Sequence, residues 1–184
     1  MAQLTFFTRW RLLQDATAHL GRARRLDEAL EVLREHARAI AQSDGVTLIR
    51  RDGDHVAYVG EDALAPLWTG QRFPIESCIS GLAMLEREPI LIPDIAQDPR
   101  VPMPLYLPTF VRSMAMFPLG PGQPAAAMGV YWATTAPIDL GAMQLLELLA
   151  QSMTSVMRNF TAADLQAAPV RLGPHGGALI PALV

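Results

Sequence analysis

The chain has no lysine; all 15 of its basic residues are arginine. With a net charge of −3 it lacks the basic excess that marks nucleic-acid binding, so no nucleic-acid partner is expected. It has one cysteine, Cys78, in 184 residues. A lone thiol excludes an intrachain disulfide framework and any zinc cluster built from several thiolates. Long apolar runs are also missing. No stretch approaches the roughly 20 residues that span a bilayer, and Met1 to Arg9 lacks the apolar core of a signal peptide. A cytoplasmic protein without a membrane partner is therefore expected. Internal repeats, a Gly-rich phosphate loop, a Gly-x-Ser-x-Gly turn and a His-Glu-x-x-His pair are absent as well, which removes the commonest catalytic signatures.

What remains is globular in composition, 51% apolar and 18% charged. The length suits one domain with extensions, able to bury a substantial core. We read residues 1–8 as a lead-in, 9–163 as the folded domain with a helix at each end, and 164–184 as an Ala/Pro/Gly-rich tail. Leu13, Ala16 and Leu20 share one side of a first helix, and Leu26, Leu30, Leu33, Ala37 and Ile40 form the stripe of a second. Asp52-Gly53-Asp54 joins two strands, 46–51 and 55–59, as a hairpin, and residues 60–70 read as a loop containing Trp68. A short strand ends at Pro74. A short helix follows from about Ser77, which is placed to cap it.

Ile90 to Ile92 reads as a buried strand. Four prolines between Asp98 and Pro108 exclude a regular helix there and suggest a stiffened, lid-like loop with Leu105 and Tyr106 turned inward. Strands over 112–119 and 126–134 are apolar on both faces, as central strands are. From Asp139 to about Ala163 a long helix carries Ala142, Leu146, Leu149, Met153, Val156 and Phe160 at heptad spacing, a candidate homodimer surface.

This order of elements predicts an α/β (α+β) fold, an antiparallel sheet of about five to six strands with helices packed on it. Ile92-Pro93-Asp94-Ile95, Asp98-Pro99-Arg100, Thr109 to Ser113 and Gly129-Val130-Tyr131-Trp132 resemble a GAF domain, a sensory module of bacterial signalling proteins. The resemblance covers about residues 10–160 and is strongest to GAF domains upstream of sensor histidine kinases, although no kinase segment follows. It implies terminal helices on one sheet face, a short helix and loops on the other, and a ligand pocket beneath those loops.

Mapped onto this chain, the pocket would be lined by Phe73, Cys78, Ser80, Asp94, Asp98, Arg100, Tyr106, Arg112, Met114 and Met116. Arg112 could fork an anionic group, or pair with Asp94 or Asp98 and pin the loop. Asp94 and Asp98 are more simply turn-tying residues, Cys78 a buried structural thiol, and Met114, Met116 and Met128 core filler.

Two catalytic or chromophore branches of the family fit poorly. Free methionine sulfoxide reductases use several cysteines, and Ser80 stands where their motif has one. Bilin attachment wants a Cys beside a His, and none of the four histidines (19, 36, 55, 175) adjoins Cys78. Haem lacks an axial ligand, since His55 lies on the hairpin. The cofactor, if any, is left unknown. The reading is a non-enzymatic sensory or regulatory module that binds a small molecule or a partner such as a histidine kinase. The alternatives are a ligand-free dimerisation or docking unit, the remnant of a truncated kinase, and a sulfoxide-reductase-like enzyme.

Overall fold

The computed structural model describes residues 4–135 and 139–166; the predicted tail falls almost wholly outside them. Two helices open the chain, α1 (Phe6–Leu20) and α2 (Leu26–Ala41). Six strands follow: β1 (Gly45–Asp52), β2 (His55–Ala63), β3 (Arg72–Pro74), β4 (Ile90–Ile92), β5 (Ser113–Leu119) and β6 (Ala126–Trp132). They form one sheet in the order β3-β2-β1-β6-β5-β4, and every neighbouring pair is antiparallel. Between β3 and β4 lie a 3-10 turn, Ile75–Ser77, and α3 (Ile79–Glu86); α4 (Met103–Tyr106) precedes β5, and α5 (Leu140–Met157) and α6 (Ala162–Gln166) close the described chain. The expected mixed fold and antiparallel sheet are thus present.

Alternation along the central strands sorts the core into two layers, because successive side chains point to opposite faces. Val46, Leu48, Ala115, Phe117, Leu119, Ala126, Met128 and Val130 pack with α1, α2 and α5. Ile49, Met114, Met116, Ala127 and Tyr131 pack on the other side with α3 and the loops around it. The stripe predicted on α2 is buried along its whole length. Arg9 joins the corresponding face of α1. It donates from Nε to the Ile40 carbonyl at 2.7 Å and pairs through Nη1 with Asp139 at 2.9 Å. Asp139 in turn accepts from the Gly141 and Ala142 amides as the N-cap of α5. One guanidinium therefore ties the start of α1 to the end of α2 and the start of α5.

Several local expectations change. The proline-rich segment expected to hold no regular helix forms one turn, α4, whose Pro104 sits in the first turn, where a missing amide breaks no helical bond. The heptad residues Ala142, Leu146, Leu149 and Met153 are buried in the chain's own helix-covered core, with Val156 and Phe160 packed against it. A heptad stripe and a core-facing helix look alike over three turns, and here the sheet, α1 and α2 take the stripe. The helix also ends at Met157, with α6 a separate turn. α1 starts at Phe6 rather than Arg9, capped by the Thr5 hydroxyl. Ser77 does not cap α3: the residues around it form the 3-10 turn, and Cys78 precedes the helix without a side-chain cap bond. β2 runs on to Ala63, past an irregularity in its register opposite Leu48 and Ile49.

Candidate functional site: a hydroxyl-bearing aromatic recess

The second core layer is where family resemblance placed a pocket, and its chemistry differs from the first. Tyr58 from β2 and Tyr131 from β6 enter it from the sheet, Tyr106 from α4, and Trp68 from the β2–β3 connection; all four are buried. Trp68 is central. Its ring lies 5.6 Å from Tyr58, 4.9 Å from Tyr106 and 5.5 Å from Tyr131, each tilted edge to face, the arrangement the ring quadrupoles favour. Phe73 meets Tyr58 edge-on at 5.6 Å. The loop that delivers Trp68 is pinned by Glu61, whose carboxylate accepts the amides of Leu67, Trp68 and Thr69 at 3.1 Å each.

Around these rings sits a set of buried polar atoms. Tyr131 shares a hydrogen bond with Thr47 at 2.9 Å, Tyr58 one with Ser80 at 3.3 Å, and Ser80 one with Cys78 at 3.3 Å. Tyr106 donates to the Met114 sulfur at 3.8 Å, and a thioether is a weak acceptor. Two glycines make room for this arrangement. A Cβ on Gly129 would overlap the Tyr131 hydroxyl and come within 2.8 Å of Thr47 Oγ1, and one on Gly81 would overlap the Ile75 carbonyl, against which α3 is seated. Burial pushes the phenols of Tyr58, Tyr106 and Tyr131 well up from their ordinary range and raises the Cys78 thiol, the last only partly offset by Ser80. At neutral pH the recess therefore holds neutral hydroxyls and a protonated thiol, a poor nucleophile.

Of the residues expected to line a pocket, Phe73, Cys78, Ser80, Tyr106, Met114 and Met116 come together here. Four others lie on the outer rim. Asp98 pairs with Arg100 at 2.7 Å and accepts its amide at 3.0 Å, and that guanidinium holds the carboxyl below its usual range. Asp94 accepts the Ala96 amide at 2.9 Å, so both aspartates tie turns as expected. Arg112 pairs with neither Asp94 nor Asp98. It is exposed, and its Nη1 donates to the Val111 and Thr109 carbonyls at 2.7 and 3.3 Å. Among the described residues the only fully buried charged side chain is Arg9, which belongs to the helix-covered side; beside the recess the half-buried Glu61 carboxylate is taken up by the Trp68 loop amides. Thr47, Tyr58, Trp68 and Tyr131 were not foreseen. His55 sits at the hairpin beside Asp54, at 2.6 Å, away from this cluster. Among the described residues no group of three metal-ligating side chains is assembled.

An antiparallel sheet with long helices on one face, and short helices and loops over polar atoms on the other, defines a mixed α/β domain of the GAF type. The GAF domain family model matches residues 23–158, and the chain belongs to that family. Among curated proteins, none matches it in sequence. Solved structures with the same fold are diverse. The GAF domain of a phosphoenolpyruvate-protein phosphotransferase from Acinetobacter aligns at 13% identity and TM-score 0.69, over 82% of this chain and 93% of its own. The free methionine-R-sulfoxide reductase of Neisseria meningitidis, in complex with its substrate, gives 15% and 0.72 over 86% and 93%. The chromophore-binding domain of a Stigmatella aurantiaca bacteriophytochrome gives 18% and 0.66 over 84% and 61%. At these identities the likeness concerns the fold.

Proposed function

We propose that this protein is a non-enzymatic regulatory GAF module that takes a small, uncharged, partly aromatic molecule into the recess beneath Trp68 and Tyr106. The observation that carries this reading is a cluster of buried hydroxyls of which some have only long or weak partners. A phenol whose partner is a thioether at 3.8 Å, beside another whose bond to Ser80 is long, has hydrogen-bonding capacity to offer. The ligand is uncharged because no fully buried ionised side chain lines the recess to meet a charge, and burying one unpaired is very costly. Entry requires the Trp68 loop and α4 to move outward, since their rings occupy the space. Binding would thus convert ligand affinity into a displacement of the lid.

Native mass spectrometry of protein purified from its own host tests this. A retained mass of a few hundred daltons or less, lost in Tyr106→Trp, is the expected result. Protein that carries no such mass, together with Trp68 fluorescence unmoved by host metabolite extract, would refute it. A second reading, a ligand-free assembly unit, is favoured by the aromatic packing itself and would then stand. In either case a second copy is proposed to pack on the outer side of the α1–α5 pair, because the original heptad stripe is consumed internally. Phe6, Phe7 and Leu140 are 53%, 69% and 79% exposed there, an apolar patch at one end of the two helices. Light scattering of Phe7→Glu against the parent checks it; an unchanged mass for both would place self-association elsewhere or nowhere.

The module's output would pass to another signalling protein, with a histidine kinase the first partner to test. Sulfoxide-reductase chemistry is disfavoured by the protonated, buried Cys78, and incubation with free methionine-R-sulfoxide and a dithiol is expected to give no turnover.

A further inference from the structure

A second concavity lies away from the recess, where the β5–β6 turn meets the C-terminal half of α5. It is an open cleft of about 770 Å³, within the range of small-molecule sites. One wall is a face of α5 from Glu147 through Thr154 to Arg158, about 16 Å long at the helical rise. The other is built from prolines of the turn and from the Arg87–Pro89 corner that ends α3. Pro89, Pro118, Pro121 and Pro124 stiffen that wall. The Gly120 amide donates to Thr154 Oγ1 at 3.1 Å, fixing turn to helix, so the cleft does not depend on a mobile closure.

Two exposed arginines line this cleft, Arg87 and Arg158. Neither side chain has a hydrogen bond or ion pair among the described residues, a state shared by Arg11 and Arg22 on other surfaces, whereas Arg9, Arg25, Arg34, Arg38, Arg72 and Arg100 are all paired with carboxylates. Arg87 is also placed against its own backbone preference. It ends α3 in the left-handed region at φ 63, a position where glycine is the unstrained choice. Nothing the protein does with the Arg87 side chain compensates for that. The one carboxylate in the lining, Glu147, lies three turns of α5 from Arg158, too far to neutralise it.

We infer that this cleft is a binding site for the anionic group, phosphate or carboxylate, of a small metabolite, with Arg87 and Arg158 as its two forks and Thr154 and Ser155 in the same lining. Guanidinium forks match such oxygens bidentately. The inference is independent of the recess and of the proposed function. Because the site joins the end of α3, the β5–β6 turn and the end of α5, an occupant would bridge the lid-covered and helix-covered layers.

The test titrates the full chain with inorganic phosphate in one arm and succinate in the other, following the arginine Nε–Hε signals by NMR. Saturable shifts confined to Arg87 and Arg158 are expected, and Arg158→Gln and Arg87→Gly should each weaken the saturating arm by about tenfold or more. Arg22→Gln, an exposed arginine elsewhere, should leave it unchanged. Arg87→Gly relieves the left-handed strain, so its melting temperature should hold or rise while binding falls, which separates lost affinity from lost folding. Saturation by phosphate alone, or by succinate alone, identifies which oxygen group the site takes. No saturation in either arm up to about 10 mM, or equal weakening by Arg22→Gln, overturns the inference.

Discussion

On the helix-covered face of the sheet, β1, β5 and β6 present Val46, Leu48, Ala115, Phe117, Met128 and Val130 to α1, α2 and α5. On the other face the same strands present Thr47, Ile49, Met114, Met116 and Tyr131 to α3, α4 and the Trp68 loop. The first layer is apolar and covered by helices of 15, 16 and 18 residues. The second contains hydroxyls and is covered by helices of eight and four residues plus loops. Shared strands with unequal covers imply unequal local stability, because short elements with few apolar contacts open at lower cost than long packed helices. The fold's permanence therefore resides in one layer, and the other is the one that opens at lower cost.

The largest expected effect tests the permanent layer. Leu149→Ala removes a fully buried side chain between α5 and the sheet and should cost about 2–5 kcal/mol in denaturant unfolding. A loss below about 1 kcal/mol would mean that this layer yields readily, and the contrast would fail. Next, Gly129→Ala inserts a methyl where the Tyr131 hydroxyl and Thr47 sit. It should cost about 1–3 kcal/mol through overpacking, and the double variant Gly129→Ala/Tyr131→Phe should recover part of that loss. Without recovery, the clash is not with the hydroxyl.

A finer comparison lies within the recess. Tyr131→Phe leaves buried Thr47 Oγ1 without its partner and should cost about 1–2 kcal/mol. Tyr106→Phe breaks only a long bond to sulfur and should change stability by less than about 0.5 kcal/mol in either direction. Equal costs for the two would show that Tyr106 is as well satisfied as Tyr131, removing the main support for ligand binding there.

Much of the permanent layer was legible beforehand, since the spacing of Leu26, Leu30, Leu33, Ala37 and Ile40 and the two-sided apolarity of 112–119 and 126–134 translate directly into burial. The same spacing misled at Ala142 to Phe160, because periodicity shows that a helix has an apolar face and not which surface covers it. The recess was half legible. Resemblance placed Cys78, Ser80, Tyr106 and the methionines in it, yet Trp68 was read as part of a loop. What brings it inward is a Glu61 carboxylate gathering three amides six to eight residues on, a pattern with no sequence signature. Arg112 looked like a ligand fork on motif grounds, but its side chain turns back onto local carbonyls. Gly129, inside a central strand, is the one sequence mark of the crowding beside Tyr131, since a glycine there often signals the close approach of another group; the structure pairs it with Thr47.

The smallest effect concerns acid. Asp139 in the helix layer and Asp98 on the lid are both held below the usual carboxylate range, each by a hydrogen-bonded arginine, Arg9 and Arg100. A carboxyl depressed in the folded state contributes stability that is present above its unfolded value, near pH 4, and is lost as pH falls through the folded value. The two should differ because their partners differ in reach. Arg100 is two residues from Asp98, so that pair can also form in the unfolded chain and much of it cancels. Arg9 is 130 residues from Asp139, so the whole interaction belongs to the folded state. Asn retains the capping oxygen while deleting the charge. Asp139→Asn should thus flatten the loss of stability below pH 4 measurably, and Asp98→Asn should leave it nearly as steep as in the parent. The reverse ranking, from melts taken between pH 2 and 7, would place the acid-sensitive tie on the lid and undo the assignment of permanence to the helix layer.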